Sequence, residues 1–263
     1  ASAGELSSGD GGRAVVGYGL AFLLPLVVMV GWVGIRTDAA FACAGDLLVP
    51  ASYVPALVEG DPCTEVSRLN APFTHNLRLF PMGSTLDFAI AAVCARVLSD
   101  TFAGLTAGWL VKLMLAGLTA AWSLRLLGVR WPVALVLSQA YALTPYALIK
   151  NVDHYNLSAY LTPPVVALCL LVLSGDLRRI RSTTLLPVFV ACTALGFNAP
   201  YEAFFLCYVL ACTVVLQLMS GARSVRNVTP AVGAFYVIAV AQVLNQVPNM
   251  LAISASGVPF VKS

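Results

Sequence analysis

Three short stretches of this chain carry side chains that could do chemistry. In AGDLLVPASYVPALVEG, Asp46 follows a long apolar run and a brief polar stretch. An acid there suits two roles. It can cap the helix that LLVPASYVPALV would form, accepting hydrogen bonds from free amides at the helix start. It can also be a carboxylate held at a membrane surface, acting as general base or metal ligand. In KNVDHYN, residues 150–156, Asp153 and His154 are adjacent. The pair suits proton handling or phosphate binding, while Asp153 alone suits a helix cap and Lys150 a snorkelling anchor. In NAPYE, residues 198–202, Glu202 opens a helix, where its charge complements the dipole. An ionisable group slightly inside a membrane is also a functional candidate. Lys112, alone in a long apolar run, either snorkels to the surface or meets an anion.

Between the first two stretches runs a polar loop, VEGDPCTEVSRLNAPFTHNLRLFPMG, with Glu59, Asp61, Glu65, Arg68, His75 and Arg78. Its Asp61-Pro62 and FPMGS segments have turn composition, the first ending the preceding helix. Cys63 in this loop and Cys43 before it either pair, if the loop faces an oxidising compartment, or stay as two thiols. A bridge there would add about 3 kcal/mol by restricting the unfolded chain. The other five of the seven cysteines lie in apolar runs as small hydrophobes.

Many chemistries find no motif here. There is no P-loop, no dinucleotide fingerprint, no nucleophile elbow, no CxxC pair and no HExxH. Two histidines far apart make a weak metal case on their own. The net charge is +3, and no basic cluster is dense enough for nucleic acid.

The elements that must position these residues are membrane helices. Of 263 residues 59% are hydrophobic and 10% charged, with mean hydropathy +0.87; soluble domains are about 25% charged. Seven segments suit crossing: residues 14–35, 102–124, 131–149, 157–174, 183–197, 201–219 and 228–246. Thr162-Pro163-Pro164 is expected to kink the fourth. An eighth apolar stretch, 86–98, is short, contains Arg96 and is flanked by Asp87 and Asp100, so it is expected to be re-entrant or interfacial. With that stretch not crossing, Arg125, Arg130, Arg178, Arg179, Arg181, Arg223 and Arg226 share a side with Arg13. That side is the cytoplasmic one by the positive-inside rule. Nine of the twelve acids and both histidines then face outward. The expected fold is an all-α polytopic membrane protein of about seven transmembrane helices, with a long first extracytoplasmic loop carrying amphipathic juxtamembrane helices. Residues 1–13 are expected to be a disordered tail and 14–246 the membrane module, with the external loop at 36–101. Residues 247–263 are expected to be an external tail that continues in a longer chain.

This arrangement resembles the N-terminal membrane module of the GT-C superfamily of glycosyltransferases, which use lipid-linked sugars. The likeness rests on Asp46-Leu47-Leu48, Asp61-Pro62 and Asn76-Leu77-Arg78-Leu79-Phe80-Pro81-Met82-Gly83, in that order. It also rests on the tract WSLRLLGVRWPVALVLSQAYALTPYALIKNVDHYNLSAYLTPPVVALCLL and on Tyr201 after a small-residue corner. Members often carry paired acids in the first loop, whereas Leu47 follows Asp46 here. The resemblance implies transfer of a sugar from a polyprenyl-phosphate donor to an extracytoplasmic acceptor with inversion, in the inner membrane. Asp46 would be general base and Asp153 the second acid. Arg68, His75, Arg78, Lys150 and His154 would hold the donor phosphate. Glu202 is a further candidate, and Asp46 or Asp153 could hold a divalent cation, Mg or Mn. Implied partners are the donor, membrane lipids, a glycan, lipid or protein acceptor, and other membrane subunits; nucleic acid is not among them. Two other readings compete: a non-catalytic subunit of a larger membrane complex, and a lipid-linked glycan transporter. A transporter predicts polar groups spread across the spans and, in many families, an internal repeat, which the sequence lacks.

Overall fold

The computed structural model describes residues 8–35, 48–60, 65–66, 75–76, 84–150, 159–176, 180–220 and 227–256. These are almost wholly helical. Four helices are long and apolar enough to cross a membrane: Gly11–Trp32, Thr101–Leu126, Pro200–Met219 and Thr229–Pro248. Two shorter apolar helices, Ala159–Ser174 and Ser182–Asn198, lie among them. Large side chains such as Phe204, Phe205, Tyr208 and Val240 point outward. An apolar exterior on long helices is that of a membrane-embedded protein.

Helix α1 (Ser8–Val27) runs into a π-turn, Val28–Trp32. It starts inside the polar stretch expected to be a disordered tail, because a helix once nucleated extends by one hydrogen bond per residue. Pro25 cannot donate to the Ala21 carbonyl one turn back. That carbonyl is taken up from outside: the Gln139 side-chain amide donates to it at 3.2 Å. Gly117 opens the space, since a Cβ there would lie 2.5 Å from the same oxygen. Neighbouring helices rescue a freed carbonyl in this way where no water can.

Helix α2 (Leu48–Glu59) covers the expected amphipathic segment. It ends at Gly60, whose φ of +97° is cheap only for glycine, rather than at Asp61-Pro62. Strands β1 (Glu65–Val66) and β2 (His75–Asn76) form a short antiparallel pair. Helix α3 (Thr85–Leu98) is the eighth apolar stretch. It folds back along α4 (Thr101–Leu126) through a tight turn at Ser99-Asp100. The Asp100 carboxylate caps α4 by accepting from the Ala103 amide at 2.7 Å. The two helices meet so closely that a Cβ at Gly104 would fall on the Ala95 backbone. Arg96 reaches from α3 to the end of α2, donating to the Leu57 carbonyl at 2.8 Å.

The expected span 131–149 is two helices, α5 (Trp131–Ala142) and α6 (Pro145–Lys150). Pro145 drives the residue before it out of helical conformation, and the Thr144 hydroxyl accepts from the Ala147 amide in compensation. The proline pair expected to kink the fourth span instead opens α7 (Thr162–Ser174), preceded by a 3-10 turn at Ala159–Leu161. First-turn prolines cost no hydrogen bond, because those amides have no helical partner. Helices α8 (Ser182–Asn198) and α9 (Pro200–Met219) follow the expected spans. Helix α10 (Thr229–Ser256) continues past Gln246, into the segment expected to be an external tail.

Two apolar clusters hold the bundle. One joins α7, α8, α9 and α10 through Leu168, Leu195, Leu210 and Ile238. The other joins the end of α1 to α2, α3 and α4 through Met29, Val54, Phe88 and Leu105, with Tyr53 stacked on Phe88 at 5.4 Å. Gly104→Val should separate α3 from α4 and lower stability by about 1–3 kcal/mol, as overpacking does. Thermal unfolding in detergent measures this, and a wild-type melting curve would contradict so close a contact.

Candidate functional site

Helix α3 begins without a cap of its own. Ser84 sits in the left-handed region (φ +77°), and its side chain makes no capping bond. The cap comes from the far end of α8. The Asn198 side-chain oxygen accepts from the Leu86 amide at 2.7 Å and the Asp87 amide at 3.3 Å, and the Asn198 carbonyl accepts from Ser84. Asp87 answers by accepting from the Asn198 side-chain amide at 3.1 Å. The exchange is that of a capping box, built between residues 111 positions apart.

Asp87 is also the anion that Lys112 meets. Its Oδ1 lies 3.3 Å from Lys112 Nζ and accepts from the Tyr160 hydroxyl at 2.9 Å. The Asp87 side chain is 0% exposed and that of Lys112 6%. Lys112 stands mid-way along α4, far from either end, so it does not snorkel. One carboxylate thus receives a lysine, a tyrosine and an asparagine, from α4, the turn before α7 and α8. A buried charge persists only when its lone pairs are answered in this way.

A cleft of about 320 Å³ opens beside this cluster. Trp109, Tyr141, Tyr146 and Tyr160 line it with aromatic rings, and Lys112 and Glu202 supply charge. Lys112 interacts electrostatically with both Asp87 and Glu202. Tyr141 is fixed by its hydroxyl, which donates to the Ala159 carbonyl at 2.8 Å. Tyr141 and Thr162 also line a second space of about 280 Å³, which lies along α4 between α5 and α7. Its walls are apolar, including Ala120, Leu124, Leu137, Val166 and Leu170. On its floor the Ser123 hydroxyl is buried and has no hydrogen-bond partner. The two spaces share Tyr141 and Thr162 in their walls: the first has charged and aromatic groups in its lining, and the second is apolar.

Of the residues expected at a site, Glu202 lies in this cleft, half-buried in the first turn of α9. Lys150 ends α6, and His75 stands opposite Val66 in the strand pair. Asp46, Asp153, His154, Arg68, Arg78, Cys43 and Cys63 lie outside the described residues. Among the described residues no three His, Cys, Asp or Glu side chains group as metal ligands. Asp87 and Asn198 were not singled out from sequence. The usable signal was charge alone: Asp87 and Lys112 are opposite charges inside apolar segments, and such groups tend to find each other.

Comparison with family models, curated proteins and solved structures gave no match to this chain. Its own chemistry defines the class: a helical, membrane-embedded protein with an internal ion pair beside an amphipathic cleft.

Removing one partner of the pair leaves the other charge buried without its counter-charge at 3.3 Å. Lys112→Met should therefore cost about 3–5 kcal/mol. Combined with Asp87→Asn it should cost less than the sum of the two single changes. A double-mutant cycle in detergent reads this coupling, and strictly additive losses would show that the two side chains do not act as a pair.

Proposed function

We propose that this chain is the membrane module of a GT-C-type glycosyltransferase, taking its sugar from a polyprenyl-phosphate donor. The reading assigns it about seven spans in the inner membrane, with the N-terminus cytoplasmic and the cleft facing the extracytoplasmic side. The observation that carries it is the two-part cleft. Aromatic faces beside a carboxylate suit a sugar ring, whose C–H groups stack on π-systems and whose hydroxyls donate to carboxylates. The apolar extension along α4 suits a lipid chain. The aromatic space alone, at about 320 Å³, is at the scale of a small-molecule site.

The charge balance divides the labour. Asp87, Lys112 and Glu202 together carry one net negative charge, so this cluster does not attract a phosphate. Lys112 serves Asp87, Glu202 takes sugar hydroxyls, and the donor phosphate is assigned to Arg68, His75, Arg78, Lys150 and His154. In the transfer step the acceptor oxygen bonds to the anomeric carbon as that carbon's bond to the phosphate oxygen breaks. The acceptor proton passes to Asp46 as general base, and the lipid phosphate leaves with the bonding pair. A divalent cation at Asp46 or Asp153 would stabilise that leaving charge. A second reading, a non-catalytic subunit, is favoured by the full internal satisfaction of Asp87, which lends itself to architecture as much as to chemistry. It predicts a stoichiometric membrane complex and no transfer.

Transfer from a radiolabelled polyprenyl-phosphate sugar, in membranes enriched for the chain, tests the proposal. Asp46→Asn should lower the rate about 10²–10⁴-fold, the usual worth of a positioned base. Glu202→Gln should lower kcat/KM about tenfold while the protein stays folded. Near wild-type rates in both variants would sink the assignment.

A further inference from the structure

We propose that the opposite end of the bundle holds a second site, a cleft for the phosphate of an anionic phospholipid headgroup. It lies in the last turn of α4: Arg125 is 13 residues beyond Lys112, or about 20 Å along the helix axis. A space of about 370 Å³ there is lined by Tyr18, Trp122, Arg125, Trp131, Thr183 and Thr184. In contrast to the groove along α4, this lining is rich in polar groups.

The Arg125 guanidinium is held in place before any ligand arrives. Its carbon lies 4.8 Å from the centre of the Trp131 ring, and one Nη donates to the Val129 carbonyl at 2.6 Å. Trp131 is fixed in turn by an edge contact with Tyr18 at 4.8 Å and by lying over Gly17, where a Cβ would strike the ring. An arginine so braced keeps donors of its planar fork for an oxyanion, at little further loss of side-chain freedom. Helix α8 opens at the same cleft. Its Arg181 cap residue is extended and makes no side-chain cap, while the Thr184 and Leu185 amides both turn to the Arg181 carbonyl. The first amides of the helix carry partial positive charge toward the cleft.

The surroundings favour a lipid over a soluble phosphate. Tyr and Trp beside Arg is the composition of a membrane interface. Arg181 is exposed nearby, and the sequence places Arg178 and Arg179 in the same α7–α8 connection. Val15 and Val16 on α1, Val136 on α5 and Leu186 and Val190 on α8 are exposed apolar groups along which acyl chains can lie. The site is independent of the sugar-transfer reading.

The test uses the whole chain in detergent, with short-chain phosphatidylglycerol, short-chain phosphatidylcholine and inorganic phosphate as probes and thermal unfolding as readout. Phosphatidylglycerol should raise the melting temperature in a saturable way, and phosphatidylcholine should not. Arg125→Ala should weaken the apparent affinity about tenfold or more, Arg125→Lys by less, and Arg130→Ala, outside the cleft, hardly at all. Should Arg125→Ala not fold, Arg125→Lys, which keeps the stem and the charge, carries the comparison. Equal stabilisation by both lipids, or an unchanged response in the Arg125 variants, would overturn the site. The full effect from inorganic phosphate alone would overturn the lipid as its occupant.

Discussion

A carboxylate and an ammonium facing each other deep among apolar helices must be completely satisfied or not be there at all. Both side chains are almost wholly out of reach of solvent, and each unpaired lone pair or proton there costs several kcal/mol. The Asp87–Lys112 contact sets this condition, and much of the surrounding architecture meets it. Asn198 must reach the start of α3, so α8 ends there. Tyr160 must point at Oδ1, so the chain makes a 3-10 turn before α7. Three helix ends therefore converge on the middle of α4, and the cleft is the space that their convergence leaves beside it.

Two compensation devices recur in the bundle. Pro25 frees a carbonyl and Gln139 answers it from another helix; Ser84 fails to cap α3 and Asn198 caps it from another helix. In both cases a local defect in hydrogen bonding becomes a specific bond between elements. Such bonds fix the rotation of one helix against the next, which apolar packing alone fixes weakly, because lipid tails are as apolar as the side chains they would replace.

The helices were legible because hydropathy and length are local. The ends of the second and sixth spans fall within a residue or two of α4 and α9, and the short stretch 86–98 is the helix α3. Proline was misjudged where its position within a turn mattered: Pro145 splits a span that hydropathy runs together, and Pro163-Pro164 open a helix they were expected to bend. Of the site, Glu202 was legible from its helix-start position, and Lys112 was recognised as a charge needing an explanation. Asp87 was not, because beside a short helix it reads as a boundary marker. Asn198 was not either, since nothing in its own neighbourhood reveals that it caps a helix far away in sequence.

The cap that Asn198 lends to α3 bears on how the protein is made. Asp87 is made with α3, and Lys112 follows within the next helix, but the cap is supplied 111 residues later in synthesis. Until α8 is in place, the start of α3 has open amides and Asp87 has one oxygen lacking its Asn198 donor. The hairpin of α3 and α4 is thus incomplete by itself, and the end of α8 supplies the hydrogen bonds that it lacks.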